Sequence, residues 1–198
     1  MLDNARVRRA AATVLDPVAR LLLRLHATAS GVTIAGSIGA ILVSVLLIAR
    51  GEFLPAALLM IPLAGADALD GTMARMSGTS SRWGGFLDST TDRITDGAIF
   101  ASFAWWAIDV DRRLAVAAFI ALIAGFVTSY TRAKAESLGI ECKVGVAERP
   151  ERVGGIMAAA GFAGLGVPYI LPLAMYVIAL LSTITVWQRA SLVHRALT

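Results

Sequence analysis

Charge is scarce in this chain of 198 residues. Charged side chains make up only 16% of it against 57% hydrophobic ones, and the mean hydropathy is +0.72. An ordinary soluble domain carries about 25% charged and about 45–50% apolar residues. The shortage therefore points to a membrane protein and argues against a disordered chain or a nucleic-acid module. Cysteine is rarer still: Cys142 stands alone, so no internal disulfide can form and the redox compartment is not readable. The only histidines are His26 and His194, which argues against a His-rich zinc site. Internal repeats and low-complexity tracts are also lacking. What charge there is sums to +4. In a soluble protein that surplus would suggest nucleic acid; in this composition the question is whether the basic residues sort to one side of a bilayer.

The first 28 residues hold Arg6, Arg8, Arg9, Arg20 and Arg24, with Val14, Leu15, Val18, Leu22 and Leu23 between them. The apolar spacing is roughly helical and no long apolar run survives the arginines. This predicts an amphipathic helix on an anionic leaflet rather than a cleaved signal peptide. Residues 31–49 are uncharged and long enough to cross a hydrocarbon core of about 30 Å. Residues 53–66 are too short to span alone, so the second helix is expected to continue to about Arg75 with Asp67 and Asp70 inside it. Residues 77–81 (SGTSS) read as a loop. A third span is expected over 84–108, a polar turn at 109–113 and a fourth span over 114–130. Residues 136–151 are polar and run into ERPER at 148–152. Residues 153–188 carry no charge. One helix of that length would reach about 50 Å, so two spans are expected, turning at Gly164, Gly166 and Pro168. The expectation is an all-α integral membrane protein: an amphipathic juxtamembrane helix over 1–28, then a six-helix membrane domain over 29–198.

Nearly all Lys and Arg fall before the first expected span, between the second and third, between the fourth and fifth, and after the sixth. The other connections hold Arg50, Arg112 and Arg113, offset by Glu52, Asp109 and Asp111. By the positive-inside rule both termini are expected in the cytoplasm, with the protein in the cell membrane. Trp83, Trp105, Trp106 and Trp187 fall near expected span ends, as an aromatic belt does.

Asp67, Asp70, Asp88 and Asp92 stand out because they interrupt apolar helices. A carboxylate at mid-membrane depth costs roughly 3 kcal/mol on insertion scales, and several together repel. Arg75, Arg82 and Arg93 are too few to neutralise them. The spacings i, i+3 and i, i+4 put each pair on one helix face. Two such faces opposed make a four-carboxylate cage of hard oxygen donors, suited to magnesium or manganese. Gly71, Ala74, Gly84 and Gly85 leave room for a bulky polar group close to the backbone. Two divalent ions beside an arginine and a glycine-lined gap read as phosphoryl transfer. Taken alone, the residues also leave open a proton or ion pathway and a structural polar network.

Residues 67–92 read DALDGTMARMSGTSSRWGGFLDSTTD. This resembles the signature of the CDP-alcohol phosphotransferase family, D-x2-D-G-x2-A-R-x8-G-x3-D-x3-D. Asp67, Asp70, Gly71, Ala74, Arg75, Gly84, Asp88 and Asp92 occupy its fixed positions, with both gaps of the right length. The resemblance implies a six-span enzyme that transfers a substituted phosphate from a CDP-linked donor to an alcohol and releases CMP. It also implies two divalent ions, magnesium with manganese as the alternative, and a homodimer. Asp67, Asp70 and Asp88 would ligate metal, and Asp92 would serve as both ligand and general base. Gly71, Ala74, Arg75 and Gly84 would hold the CDP part of CDP-diacylglycerol, whose tails leave sideways into the bilayer. Many relatives open the first span with a Thr-Pro-Asn-like run. Here residues 28–33 are TASGVT, so only Thr28 and Thr33 carry over as donor contacts.

Three further stretches resemble family members whose acceptor is inositol 1-phosphate: DRITDGAIF at 92–100, SYTRAKAE at 129–136 and AERPERV at 147–153. A doubly charged acceptor needs a cationic pocket of its own. Arg132, Lys134, Arg149, Arg152 and Arg189 all fall at expected cytoplasmic span ends, where each also serves as a topology signal. The resemblance favours Lys134, Arg152 and Arg189, with Arg132 beside them. Arg149 has Glu148 and Glu151 as alternative partners. Asp96 extends the i, i+4 series, either as a partner of Arg93 or as a ligand of the acceptor hydroxyls. Glycerol 3-phosphate is the other acceptor this pattern admits, and a divalent-cation or proton-coupled transporter is the reading from another class. No nucleic-acid partner is expected.

Overall fold

In a computed structural model, the backbone is described for residues 5–198, and side chains for residue 13 and for 15–198 apart from Asp67. Among these residues all regular structure is helical. The order is α1 (Ala5–Arg24), α2 (Ala29–Leu46), a 3₁₀ turn (Ile48–Arg50), α3 (Phe53–Ser77), α4 (Arg82–Ile108), α5 (Arg112–Ser137), a π turn (Pro150–Gly154), α6 (Gly155–Gly164) and α7 (Ile170–Leu197). Several starts are set by side-chain caps, which satisfy N–H groups that no helical carbonyl can reach. The Thr28 hydroxyl accepts from Gly31 N at 3.1 Å, Ser81 from Gly84 N at 3.0 Å, and the extended Asp111 from Arg113 N at 2.8 Å.

The segment Ala29–Arg50 and helices α3, α5 and α7 are long and apolar enough to cross a membrane. Helix α4 has the length, but Asp88, Asp92, Arg93 and Asp96 interrupt its apolar sequence. The first half of the uncharged 153–188 stretch is shorter than a full span. The π turn and α6 run together over 150–164, about 20 Å at the helical rise. The chain then turns at 165–169, with Gly166 and Tyr169 at positive φ, before α7 begins. The Gly-Gly-Pro signal marked this turn correctly.

Two compact units divide the residues. The first gathers those up to Ala40 with Ile61–Ile94. In it α2 and α3 run antiparallel at close range: a Cβ on Gly36 would lie 2.9 Å from the Ala66 Cβ, and one on Gly39 would lie 2.8 Å from Leu63. Small residues here let two backbones approach, which is how membrane helices gain contact without a hydrophobic driving force. That approach carries Thr33 to Asp70.

The second unit gathers Ile41–Met60 and Thr95–Thr198. Its core holds Phe100, Phe103, Ile156, Leu171 and Met175, all nearly inaccessible. Phe53 stacks on Phe103 at 6.0 Å and meets Trp106 edge-on at 4.8 Å. Helix α5 buries Leu114, Ala117, Ala118, Ala121, Ala124 and Thr128 while exposing Phe119, Ile120, Ile123, Phe126 and Tyr130. In water that would be inverted. In lipid, bulky side chains meet acyl tails at little cost and small ones give close helix packing.

Candidate functional site

The first unit carries the four acidic residues of the signature. Asp67 and Asp70 lie on α3, and Asp88 and Asp92 on α4. The Asp67 side chain lies outside the described residues. Asp70 is 7% exposed and accepts from the Thr33 hydroxyl, which also lies 3.1 Å from the Ala29 carbonyl. Asp88 is half-buried, and Asp92 receives Arg93 Nη2 at 3.4 Å. Among the described residues no three Asp, Glu, His or Cys side chains converge to hold an ion. Arg75 sits in the last turn of α3 and donates to Thr72 Oγ1 at 3.0 Å. A Cβ on Gly71 would stand 3.3 Å from Arg75 Nη1, so the glycine makes room for that guanidinium. Ala74 and Gly84 are half-buried, and the Gly84 N–H is spent on the Ser81 cap. Thr28 likewise caps α2.

The second unit carries the cationic cluster. Arg152, in the π turn, is 2% exposed; its Nη1 donates to Ala147 O at 3.0 Å and its Nη2 lies 4.0 Å from Asp96. Arg149 Nε donates to the other Asp96 oxygen at 3.0 Å. Arg189, 3% exposed, donates to Val144 O at 2.8 Å and Thr128 O at 2.7 Å, and approaches Glu148 at 3.6 Å. Both buried arginines thus hold the segment between α5 and the π turn. Helix α7 adds Thr185, which accepts from Ala147 N at 3.0 Å, and Gln188, which accepts from Val146 N at 3.2 Å. Gly145, at φ +147°, lets this segment press on α7: a Cβ there would sit 2.5 Å from Thr185. Lys134 is exposed, and Arg132 pairs with Glu136 one turn on at 2.9 Å. On the same segment Lys143 bonds Glu141 and holds its carboxyl below the usual value.

Of the cations singled out from the sequence, Arg152 and Arg189 are brought to one segment, and Arg132 and Lys134 remain on accessible faces of α5. Sequence reasoning missed Thr33 as the partner of Asp70 and Asp96 as the partner of Arg149 and Arg152. The i, i+4 continuation from Asp92 to Asp96 was the available signal for the second. Nothing in the sequence pointed to the first.

The model of the CDP-alcohol phosphatidyltransferase family matches residues 26–192. A phosphatidylinositol phosphate synthase from Corynebacterium glutamicum is 38% identical over 185 residues, covering 92% of this chain and 84% of that protein. The crystal structure of the Mycobacterium tuberculosis phosphatidylinositol phosphate synthase with CDP-DAG bound is similar at a TM-score of 0.88 and 37% identity, covering 92% of this chain and 94% of the other. The same synthase in complex with manganese and citrate is similar at 0.88 and 36%, covering 91% and 88%. A signature that runs from mid-α3 to mid-α4 inside a matched region spanning most of the chain leaves one assignment: the chain is a membrane transferase belonging to the CDP-alcohol phosphatidyltransferase family.

Proposed function

We infer that the protein transfers the phosphatidyl group of CDP-diacylglycerol to a hydroxyl of inositol 1-phosphate, giving phosphatidylinositol phosphate and CMP. The observation that carries this reading is the likeness, over nearly the whole chain, to a synthase of that product with CDP-DAG bound. The acceptor oxygen attacks the phosphorus that bears the diacylglycerol. The bond from that phosphorus to the CMP oxygen breaks, and the acceptor proton passes to Asp92. Such a base is needed because an alcohol has a very high pKa.

Asp67, Asp70, Asp88 and Asp92 are the residues to hold divalent ions, two of magnesium or manganese. The donor set fits them: every ligand is a carboxylate oxygen, and Asp70 is buried with a hydroxyl donor fixing one of its oxygens. When bound, such ions stabilise negative charge building on the diphosphate oxygens. Arg75, with Gly71, Ala74 and Gly84 giving close backbone approach, holds the CDP part, and Thr28 and Thr33 border it. Arg152, Lys134, Arg189 and Arg132 bind the acceptor phosphate. Arg152 suits this role because its guanidinium is already oriented by Ala147 O and Asp96. Counting α4 and α6 as crossing elements gives six spans. The Lys and Arg distribution favours the plasma membrane with both termini cytoplasmic. Helix α1 lies on the inner leaflet, and two chains pair as a homodimer.

The test is CMP release from CDP-diacylglycerol with a panel of acceptors. Metal-dependent release with inositol 1-phosphate is expected. Equal or faster release with glycerol 3-phosphate moves the assignment to that acceptor, and no metal-dependent release with any acceptor refutes it.

A further inference from the structure

We propose that Asp96 is a positioning residue for the acceptor site, one carboxylate that holds the Arg149 and Arg152 guanidinium groups in their working orientation. The inference rests on the reading of Arg152 as an acceptor-phosphate ligand. Asp96 is 9% exposed in α4, one helical turn beyond Asp92. Its Oδ1 accepts from Arg149 Nε at 3.0 Å and its Oδ2 faces Arg152 Nη2 at 4.0 Å. Arg152 is thereby fixed at two ends, since Nη1 is bonded to Ala147 O.

Two guanidinium groups three residues apart repel each other, and an anion between them offsets that repulsion. A carboxylate is also a poor contact for a dianionic acceptor, since like charges repel. Its place against these arginines is therefore explained by what it does to them and not by contact with the phosphate. A planar guanidinium binds phosphate well only when its fork is presented at a fixed angle. Asp96 sets that angle, and Arg149 shares the same anchor.

The experiment compares saturation curves for inositol 1-phosphate and for CDP-diacylglycerol in the full chain. The variants are Asp96→Asn, Asp96→Glu, Arg149→Gln, Arg152→Ala and the double variant Asp96→Asn with Arg149→Gln. Asp96→Asn should raise the acceptor KM about tenfold, the loss of one charge-assisted contact. The CDP-diacylglycerol KM should stay within about twofold and kcat should be largely retained. Asp96→Glu should recover most of the loss. The double variant should be no worse than the worse single, because both act through one anchor. Equal change in both KM values, or additive losses, overturns the proposal; additive losses would mean that Asp96 contacts the acceptor itself. If Asp96→Asn does not fold, Arg149→Gln decides: a raised acceptor KM there supports the shared anchor and an unchanged one overturns it. Arg152→Ala separates the two levels: an unchanged acceptor KM there refutes the underlying reading of Arg152, whereas a raised one with no effect of Asp96→Asn refutes only the role of Asp96.

Discussion

Thr33→Val removes one hydroxyl and keeps the side-chain shape. In the structure that hydroxyl has a single proton, set between the Ala29 carbonyl at 3.1 Å and Asp70 Oδ2. The carboxylate, being charged, is the stronger acceptor. Thr33 and Asp70 are 7% and 7% exposed, so water cannot easily take over the lost bond. A hydrogen bond to a charged group contributes about 1.5–3 kcal/mol. If Asp70 ligates metal, the bond acts by holding its carboxylate at the right angle, and loss of such a partner typically weakens metal affinity about 10- to 100-fold. These two estimates agree, since each tenfold step is about 1.4 kcal/mol. The assay is the initial rate of CMP release as magnesium is titrated. The half-saturating magnesium concentration should rise by about 10- to 100-fold, and the rate at saturating magnesium should return close to that of the unaltered protein. Thr33→Ser should behave normally. An unchanged magnesium curve for Thr33→Val, with or without a lower plateau, would refute the claim that Thr33 serves a metal-binding carboxylate.

Asp92→Asn should lower turnover by about 10²-fold or more with little change in the CDP-diacylglycerol KM; near-normal turnover would assign the base elsewhere. Arg152→Ala should raise the inositol 1-phosphate KM about ten- to a hundredfold and spare the donor KM, as paired saturation curves will read. Gly145→Ala would place a Cβ 2.5 Å from Thr185 at a backbone φ of +147°. It should cost about 1–3 kcal/mol, visible as a lower unfolding midpoint in detergent, while Gly85→Ala, with open space around it, should not.

The sequence was most informative where one residue type has one physical meaning. Charge ended the apolar run at the turn capped by Asp111, while Ser, Gly and Pro marked the loop before Arg82 and the turn after Gly164, so all three could be placed from composition alone. The eight-position signature located the acidic residues on α3 and α4. It could not report which face of α5 is buried, because Ala118 and Phe119 are both apolar and only size separates inside from outside. Nor could it show that a π turn over Pro150–Gly154 precedes α6, since charge and apolar spacing do not separate π from α winding. Partnerships across helices were the least legible. Thr33 and Asp70 lie 37 residues apart, and Arg149 and Asp96 lie 53 apart. Helical periodicity relates only neighbours on one element, so these pairs follow from packing: the close approach at Gly36 and Gly39 for the first, and the fold of the 138–149 segment for the second.

The central claim is the joining of a phosphatidyl group to inositol 1-phosphate. Its most direct test is mass spectrometry of the lipid formed when the purified chain, in lipid or detergent, is given CDP-diacylglycerol, magnesium and an equimolar mixture of inositol 1-phosphate, inositol and glycerol 3-phosphate. Phosphatidylinositol phosphate is expected as the dominant product, formed with one CMP per lipid and abolished by EDTA. Dominant phosphatidylglycerophosphate or unphosphorylated phosphatidylinositol, or product formation that persists in EDTA, would contradict it.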